Sequence, residues 1–305
     1  MRRVLAVSDV ARVDLREGGA WSLAQRAKND AIWTLARAAL FCARRAGRAR
    51  LVRFGRRLGR VLHAASFGLR SRALQNLAVA FPDLDERERR VLARASFENL
   101  GADLADAIAS LDTPVETLPM DERSRAILRD ALAEGRGVVL PSAHLGPWER
   151  LAATLVACGF PLTAIVRESY DPRFDGITGA VRARAGLGTI ARGSPGAGAR
   201  IVRTLRSGGV LGIPMDLKTR AESVPVPLLG GVAMTPIGPA RIARRTGAPV
   251  VVCTVEPRDI LTVTCTRLDP CASDLELTAR INAELGRRIR LSPERWLWMH
   301  PRFET

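Results

Sequence analysis

The chain has 305 residues, with 47 Lys and Arg against 31 Asp and Glu, a formal net charge of +16 and a pI near 11.3. Its 47% hydrophobic content argues against a disordered chain, and no run approaches the roughly 18 apolar residues that span a bilayer. Five cysteines (Cys42, Cys158, Cys253, Cys265 and Cys271) form no CxxC pair and are odd in number, which suggests neither a disulfide framework nor a zinc site and fits a reducing compartment.

The charge is uneven. Residues 1–75 hold sixteen arginines and one lysine against four acids, a net of +13, and the rest of the chain is nearly balanced. Such a basic region points to a polyanion: nucleic acid, an anionic membrane or an acidic protein. Residues 1–20 show no clear period and are expected to be mobile, and Val4 to Val7 is too short for the apolar core of a signal peptide.

Residues 21–134 read as a basic, amphipathic helical region. Ile32, Leu35, Ala36, Ala39, Leu40 and Ala43 form a helical stripe, followed by Arg44, Arg45, Arg48 and Arg50. A second stripe runs Leu51, Phe54, Leu58, Val61 and Leu62 among Arg53, Arg56, Arg57 and Arg60. Two readings are open: the helices cover the core and turn their arginines to water, or they lie in a membrane interface with Trp21, Trp33 and Phe41. Phe81-Pro82-Asp83 breaks the chain, and Asp85 with Glu88 is placed as a capping box. That helix is expected to reach Ile108, with Gly101 a weak point inside it. Another runs from Asp121 to Glu134.

From about residue 135 to 305 the texture alternates. Strands are expected at 137–140, 162–167, 187–191, 210–215, 249–256 and 260–267. Helices fall at 147–158, 172–185, 196–207, 236–246 and 274–290. This is an α/β pattern, a mainly parallel central sheet flanked by helices, with the last two strands antiparallel.

The turn after the first strand draws the chemistry. Gly137 to Leu140 is a buried-strand run, Pro147 suits a first helical position, and His144 lies between them. Glu149, in the first turn of the next helix, is placed to fold back onto one imidazole nitrogen. A neutral histidine held this way takes a proton from a hydroxyl with its other nitrogen. The plainer reading is a turn histidine beside a carboxylate that favours the helix N-terminus. Ligands of open α/β sheets gather at strand carboxyl ends, and Arg167 and Asp216 occupy two more such ends. A serine hydrolase would want Gly-x-Ser-x-Gly at the elbow, which Ser142 lacks. No zinc finger or aromatic RNP signature supports nucleic-acid binding.

Several ordered stretches carry a resemblance. They are Gln75-Asn76-Leu77 through Phe81-Pro82-Asp83, Ser96 to Gly101, His144 to Glu149 (His-x4-acid), and Asp216. Pro225 to Gly230, Thr235 to Ala240, Thr246 to Val250, Pro293-Glu294 and Trp296 to His300 complete the set. Over roughly residues 70–303 the chain resembles the bacterial lipid A late acyltransferases, within the glycerophosphate-acyltransferase-like group. It departs where the family usually has Asn (Pro147), Phe-Phe-Gly (Leu228-Leu229-Gly230), Asp-Gln (Asp216-Leu217) and Gln (Arg295).

The resemblance implies that His144 deprotonates an acceptor hydroxyl and Glu149 orients it. The acyl donor is then a thioester of acyl carrier protein or coenzyme A, with no metal or redox cofactor. Arg167 would contact phosphate or steady negative charge, and Asp216 would shape the site. Trp148, Leu228, Leu229 and Gly230 are expected to bind substrate, with Leu145, Trp148 and the Val226 to Leu229 segment walling an apolar trough for the fatty chain. The expected acceptor is a lipid A precursor, with another lipid such as a phosphatidylinositol mannoside as the alternative and a basic membrane- or nucleic-acid-binding protein as the non-enzyme alternative. Peripheral or monotopic association with anionic lipid on the cytoplasmic face of the bacterial inner membrane follows from the same resemblance and from the basic helices.

Overall fold

A computed structural model of the protein describes residues 20–303 apart from 112, 168 and 170. The expectation of a mobile N-terminus falls on residues 1–19, outside the described residues.

The strands β1 (Val138–Ser142), β2 (Leu162–Val166), β3 (Gly188–Ala191), β4 (Val210–Pro214), β7 (Val250–Pro257) and β8 (Leu261–Leu268) form one six-stranded sheet. Its order is β3-β2-β4-β1-β7-β8, parallel except for the antiparallel β7–β8 pair. The α/β reading therefore holds. β1 is buried along its whole length, as a central parallel strand must be, and successive side chains feed opposite cores. Val139 joins the core shared with α3 (Phe67–Ala80), α9 (Gly238–Thr246) and α10 (Asp274–Leu291), whereas Val138 and Leu140 join the core under α5 (Glu122–Ala133) and α6 (Trp148–Ala157). Each fully buried leucine in these layers contributes about 1.5–3 kcal/mol.

Three elements escaped the sequence reading. Strands β5 (Ser223–Leu228) and β6 (Gly231–Pro236) make a separate antiparallel hairpin. Pro225 and Pro227 read as breakers, but in a two-stranded ribbon each strand has a free edge where a missing N–H costs nothing. Helix α3 was missed because arginines and serine interrupt its stripe. Its buried Asn76 donates to the carbonyls of Trp298 (2.7 Å) and His300 (2.8 Å), tying down the C-terminal segment.

The N-terminal layer comprises α1 (Leu23–Ala46), α2 (Arg48–Ala65) and α4 (Glu86–Ala109). Gly101 is no weak point. It meets α2 at Gly55, where a Cβ added to Gly55 would lie 2.2 Å from the Gly101 carbonyl oxygen; only glycine permits two backbones so close. Arg48 binds Asp106 (2.7 Å) and Arg60 binds Glu98 (2.8 Å) across the same crossing. Helix α2 thus buries Leu51, Gly55 and Gly59 and leaves Phe54, Leu58, Val61 and Leu62 exposed. Helices α7 (Pro172–Arg184) and α8 (Ala197–Arg206) link β2 to β3 and β3 to β4.

Candidate active site

Strands β1 and β4 are neighbours, with Ser142 paired to Pro214. His144 and Asp216 each stand two residues beyond that pair, so the register alone brings them together at the carboxyl end of the sheet. Gly146, with φ of +64°, lets the chain turn back toward α6.

Asp216 is the hub. One carboxylate oxygen faces His144 Nδ1 at 2.9 Å; the other accepts the His144 backbone N–H at 3.0 Å and the Trp296 indole N–H at 2.8 Å. The carboxylate is 1% exposed, whereas the His144 side chain keeps 27% of its surface. In the neutral tautomer with Nδ1–H donating to Asp216, Nε2 is left as an acceptor. The Trp148 ring stands edge-on to the imidazole, centroids 5.2 Å apart.

Burial disfavours the imidazolium, but the Asp216 charge and hydrogen bond outweigh it, Glu149 adds to them, Arg182 opposes, and the His144 pKa is raised. Burial likewise disfavours the Asp216 carboxylate, yet the His144 charge and the His144 and Trp296 hydrogen bonds win and its pKa is lowered. His300 is held toward its neutral form, first by burial.

The structure corrects the expected partner of His144. Glu149 turns to α7, where it accepts from Arg182 at 2.6 Å and 3.4 Å, and the imidazole is oriented by Asp216. Spacing put Glu149 within reach but did not give the direction of its side chain. Arg167 follows β2 at the same end of the sheet, with its side chain exposed. Leu228 and Leu229 are 2% and 6% exposed and pack beside Gly286. Gly230 (φ +92°) completes the β5–β6 turn. With Leu145 and Val226 also buried, these four apolar side chains fill the core and do not wall an open trough; Pro227 is exposed on the hairpin, and Trp148 is partly exposed beside the histidine.

Two residues went unassigned in the sequence reading. Arg182 lies 33 positions from Glu149, and nothing local marks it. Trp296 was noted only as part of a resemblance, and its indole completes the Asp216 shell. It is presented by a 3₁₀ turn, Pro293–Arg295. Asn99 steadies that turn by donating to the Glu294 carbonyl at 2.9 Å.

Fold and site define an α/β enzyme with a histidine–aspartate pair at the carboxyl end of its sheet. The model of the bacterial lipid A biosynthesis acyltransferase family matches residues 23–305, and the chain belongs to that family. It is thus an acyltransferase, moving acyl groups other than aminoacyl groups. It is similar to the lipid A biosynthesis lauroyltransferase of Escherichia coli (strain K12), 25% identical over 269 residues that span 83% of this chain and 81% of that protein.

Proposed function

We propose that the protein moves a fatty acyl chain from a thioester of acyl carrier protein or coenzyme A to a hydroxyl of a lipid A precursor, with His144 as general base. The observation that carries this reading is the His144 imidazole held at Nδ1 by a buried carboxylate and partly exposed elsewhere. The acceptor hydroxyl gives its proton to Nε2 as its oxygen attacks the thioester carbonyl. Asp216 steadies the imidazolium that forms. Collapse of the tetrahedral intermediate restores the carbonyl, breaks the C–S bond and returns the proton from Nε2 to the leaving thiolate. Arg182, anchored by Glu149, supplies positive charge toward the developing oxyanion, and Arg167, to which the resemblance gives a phosphate contact or the steadying of negative charge, stands at the same end of the sheet. These steps call for no metal or redox group. The name of the Escherichia coli relative supports lipid A chemistry and a fatty acyl donor.

The same reading places the enzyme at the cytoplasmic face of the inner membrane. Among the described residues no helix is long and apolar enough to cross a membrane. The exposed Phe54, Leu58, Val61 and Phe67 beside the arginines of α2 favour an interfacial surface, and that surface is the better candidate for guiding the fatty chain.

The test is transfer from lauroyl–acyl carrier protein or lauroyl-coenzyme A to a lipid A precursor by the purified chain, read by mass spectrometry. His144→Ala is expected to lose about 10²–10⁴-fold in rate while keeping its fold. Wild-type turnover by that variant overturns the mechanism. Lipid profiling of a strain lacking the protein names the acceptor and chain together.

A further inference from the structure

Strand β8 ends one side of the sheet, and its pairing with β7 sets two thiols face to face. The register aligns Cys253 with Cys265. The backbone N–H groups of Val263 and Cys265 point away from β7, to the Pro119 carbonyl (2.8 Å) and the Ser124 hydroxyl (2.9 Å). Cys253 and Cys265 therefore form a non-hydrogen-bonded pair. Facing residues of an antiparallel ladder come closest at such a position, with Cα atoms about 4.5 Å apart. That spacing lies within the range a disulfide spans. The two sulfurs are 3.2 Å apart, and both side chains lie in the core under α5 and α6, 0% and 7% exposed.

The pairing is pinned, so the thiols cannot slip apart. On the opposite face of the same two strands, Arg288 of α10 donates to the hydroxyls of Thr254 (2.9 Å) and Thr264 (2.8 Å), themselves register partners, and to that of Thr266 (2.8 Å). A one-residue shift would carry these side chains to the wrong face. The cysteines are 12 positions apart, so no CxxC spacing marks them and only the strand register brings them together. Small molecules have a way in. Cys265 lines an open cavity of about 540 Å³ together with Ser124, Thr264 and Arg267. Strand β7 separates β8 from β1 and its catalytic turn.

We propose that Cys253 and Cys265 are a modification site, which a two-electron oxidant of the peroxide class closes into a reversible disulfide that locks β8 to β7. The Cys265 sulfur, on losing its proton, attacks one peroxide oxygen. The S–O bond forms, the O–O bond breaks, and the released hydroxide takes up that proton as the first water. The Cys253 sulfur then attacks the sulfenic sulfur. The S–S bond forms, the S–O bond breaks, and the departing hydroxide leaves with the Cys253 proton as the second water. Two thiols lose two electrons, and one peroxide becomes two waters. The hydrogen bond with Cys253 and burial raise the Cys265 pKa, with Arg288 opposing, so the first step is slow and calls for excess peroxide. The second is fast, because the resolving sulfur is already in contact. In a reducing compartment the pair rests as thiols, and a thiol reductant restores it. The site is separate from acyl transfer and independent of the acceptor.

The experiment treats the full chain, reduced beforehand, with hydrogen peroxide in native buffer, alkylates the remaining thiols in denaturant and maps the peptides without reduction. The expected product is one linked pair of peptides carrying Cys253 and Cys265, which dithiothreitol separates. The oxidised chain should unfold about 2–5 °C above the reduced chain, since the cross-link restrains the unfolded state, and dithiothreitol should reverse the gain. Cys265→Ala should form no such link and show no rise on oxidation. Cys271→Ala, which removes a partly exposed thiol outside the pair, should behave as wild type. Because the main comparison is between two redox states of the wild type, it does not depend on any variant folding. Alkylation of both Cys253 and Cys265 after the partly exposed Cys158 and Cys271 have been consumed would overturn the inference. A Cys253–Cys265 link that fails to raise the unfolding temperature would overturn it as well.

Discussion

Asp216, buried at the carboxyl end of the sheet, and Asp103, partly buried on α4 near its crossing with α2, have acidities that move in opposite directions. Asp216 receives two N–H groups and faces the imidazole Nδ1, and its pKa is lowered. Asp103 has arginines nearby but no hydrogen-bond donor among the described residues, and burial pushes it up to about 7. Desolvation opposes the charged form at both sites; donors within hydrogen-bond distance decide which side wins. The first region is thus preorganised by hydrogen bonds, and the second is charged and tightly packed at the Gly55–Gly101 crossing.

The sharpest way to break the first region is Asp216→Asn. The amide oxygen can accept from the His144 and Trp296 N–H groups, but its NH₂ then faces Nδ1. That forces Nδ1 to accept and leaves the proton on Nε2, where it blocks base catalysis. A loss of about 10⁴-fold in kcat is expected, as for the corresponding tautomer error in other histidine–aspartate pairs. In the wild type the rate should climb with pH through an inflection above the ordinary histidine value near 6.5. The stability of the pair has two edges. Asp216, lowered, contributes above the unfolded carboxylate pKa of about 3.9, and this is lost as pH falls through its folded value. His144, raised, contributes fully below about 6.5, and this is lost as pH rises through its folded value. Wild type should therefore exceed Asp216→Asn in stability most between about pH 4 and 6.5, measured by denaturant unfolding across pH. A flat difference would mean that the pair is not coupled.

The second region can be probed without touching a charge. Gly101→Ala places a methyl against the backbone of α2, where a Cβ on Gly101 would lie 2.2 Å from the Gly55 carbonyl oxygen. Neither backbone has a flexible end that can yield, so a loss of about 1–3 kcal/mol or more is expected in unfolding. The His144–Asp216 geometry is carried by β1 and β4, so kcat should survive at temperatures where the variant is folded. A variant as stable as wild type would show that the helices are packed more loosely than the glycine contacts imply.

The same contrast explains what could be read from the amino acids. Short apolar runs such as Val138-Val139-Leu140, bounded by glycine and proline, gave the strands, and counting strand ends gave His144, Arg167 and Asp216 as neighbours. Those are local patterns. The Glu149–Arg182 bond, the Trp296 indole on Asp216 and the Gly55–Gly101 contact join residues 33, 80 and 46 positions apart. No local pattern encodes the direction in which Glu149 turns. The Leu228-Leu229 segment misled because its apolar character suited both a substrate wall and a core, and the hairpin that carries it was hidden by its two prolines.

The smallest expected effect concerns the outer surface of the second region. Helix α2 presents Phe54, Leu58 and Val61, each more than half exposed, beside Arg53 and Arg57, which are also exposed. Apolar insertion into a bilayer is insensitive to salt, whereas each arginine near an anionic surface adds about 1 kcal/mol that is screened over a Debye length of ~10 Å at 0.1 M salt. The two contributions separate in a flotation assay with anionic and neutral vesicles at low and high salt. Wild type should float with anionic vesicles at low salt and only partly at high salt. Arg53→Gln with Arg57→Gln should weaken the low-salt binding and flatten its salt dependence. Phe54→Ser with Leu58→Ser should lower flotation at both salt concentrations, since the apolar contribution is lost under either condition. Recovery of all the wild-type protein in the soluble fraction at low salt would contradict the membrane surface and leave these side chains to another partner.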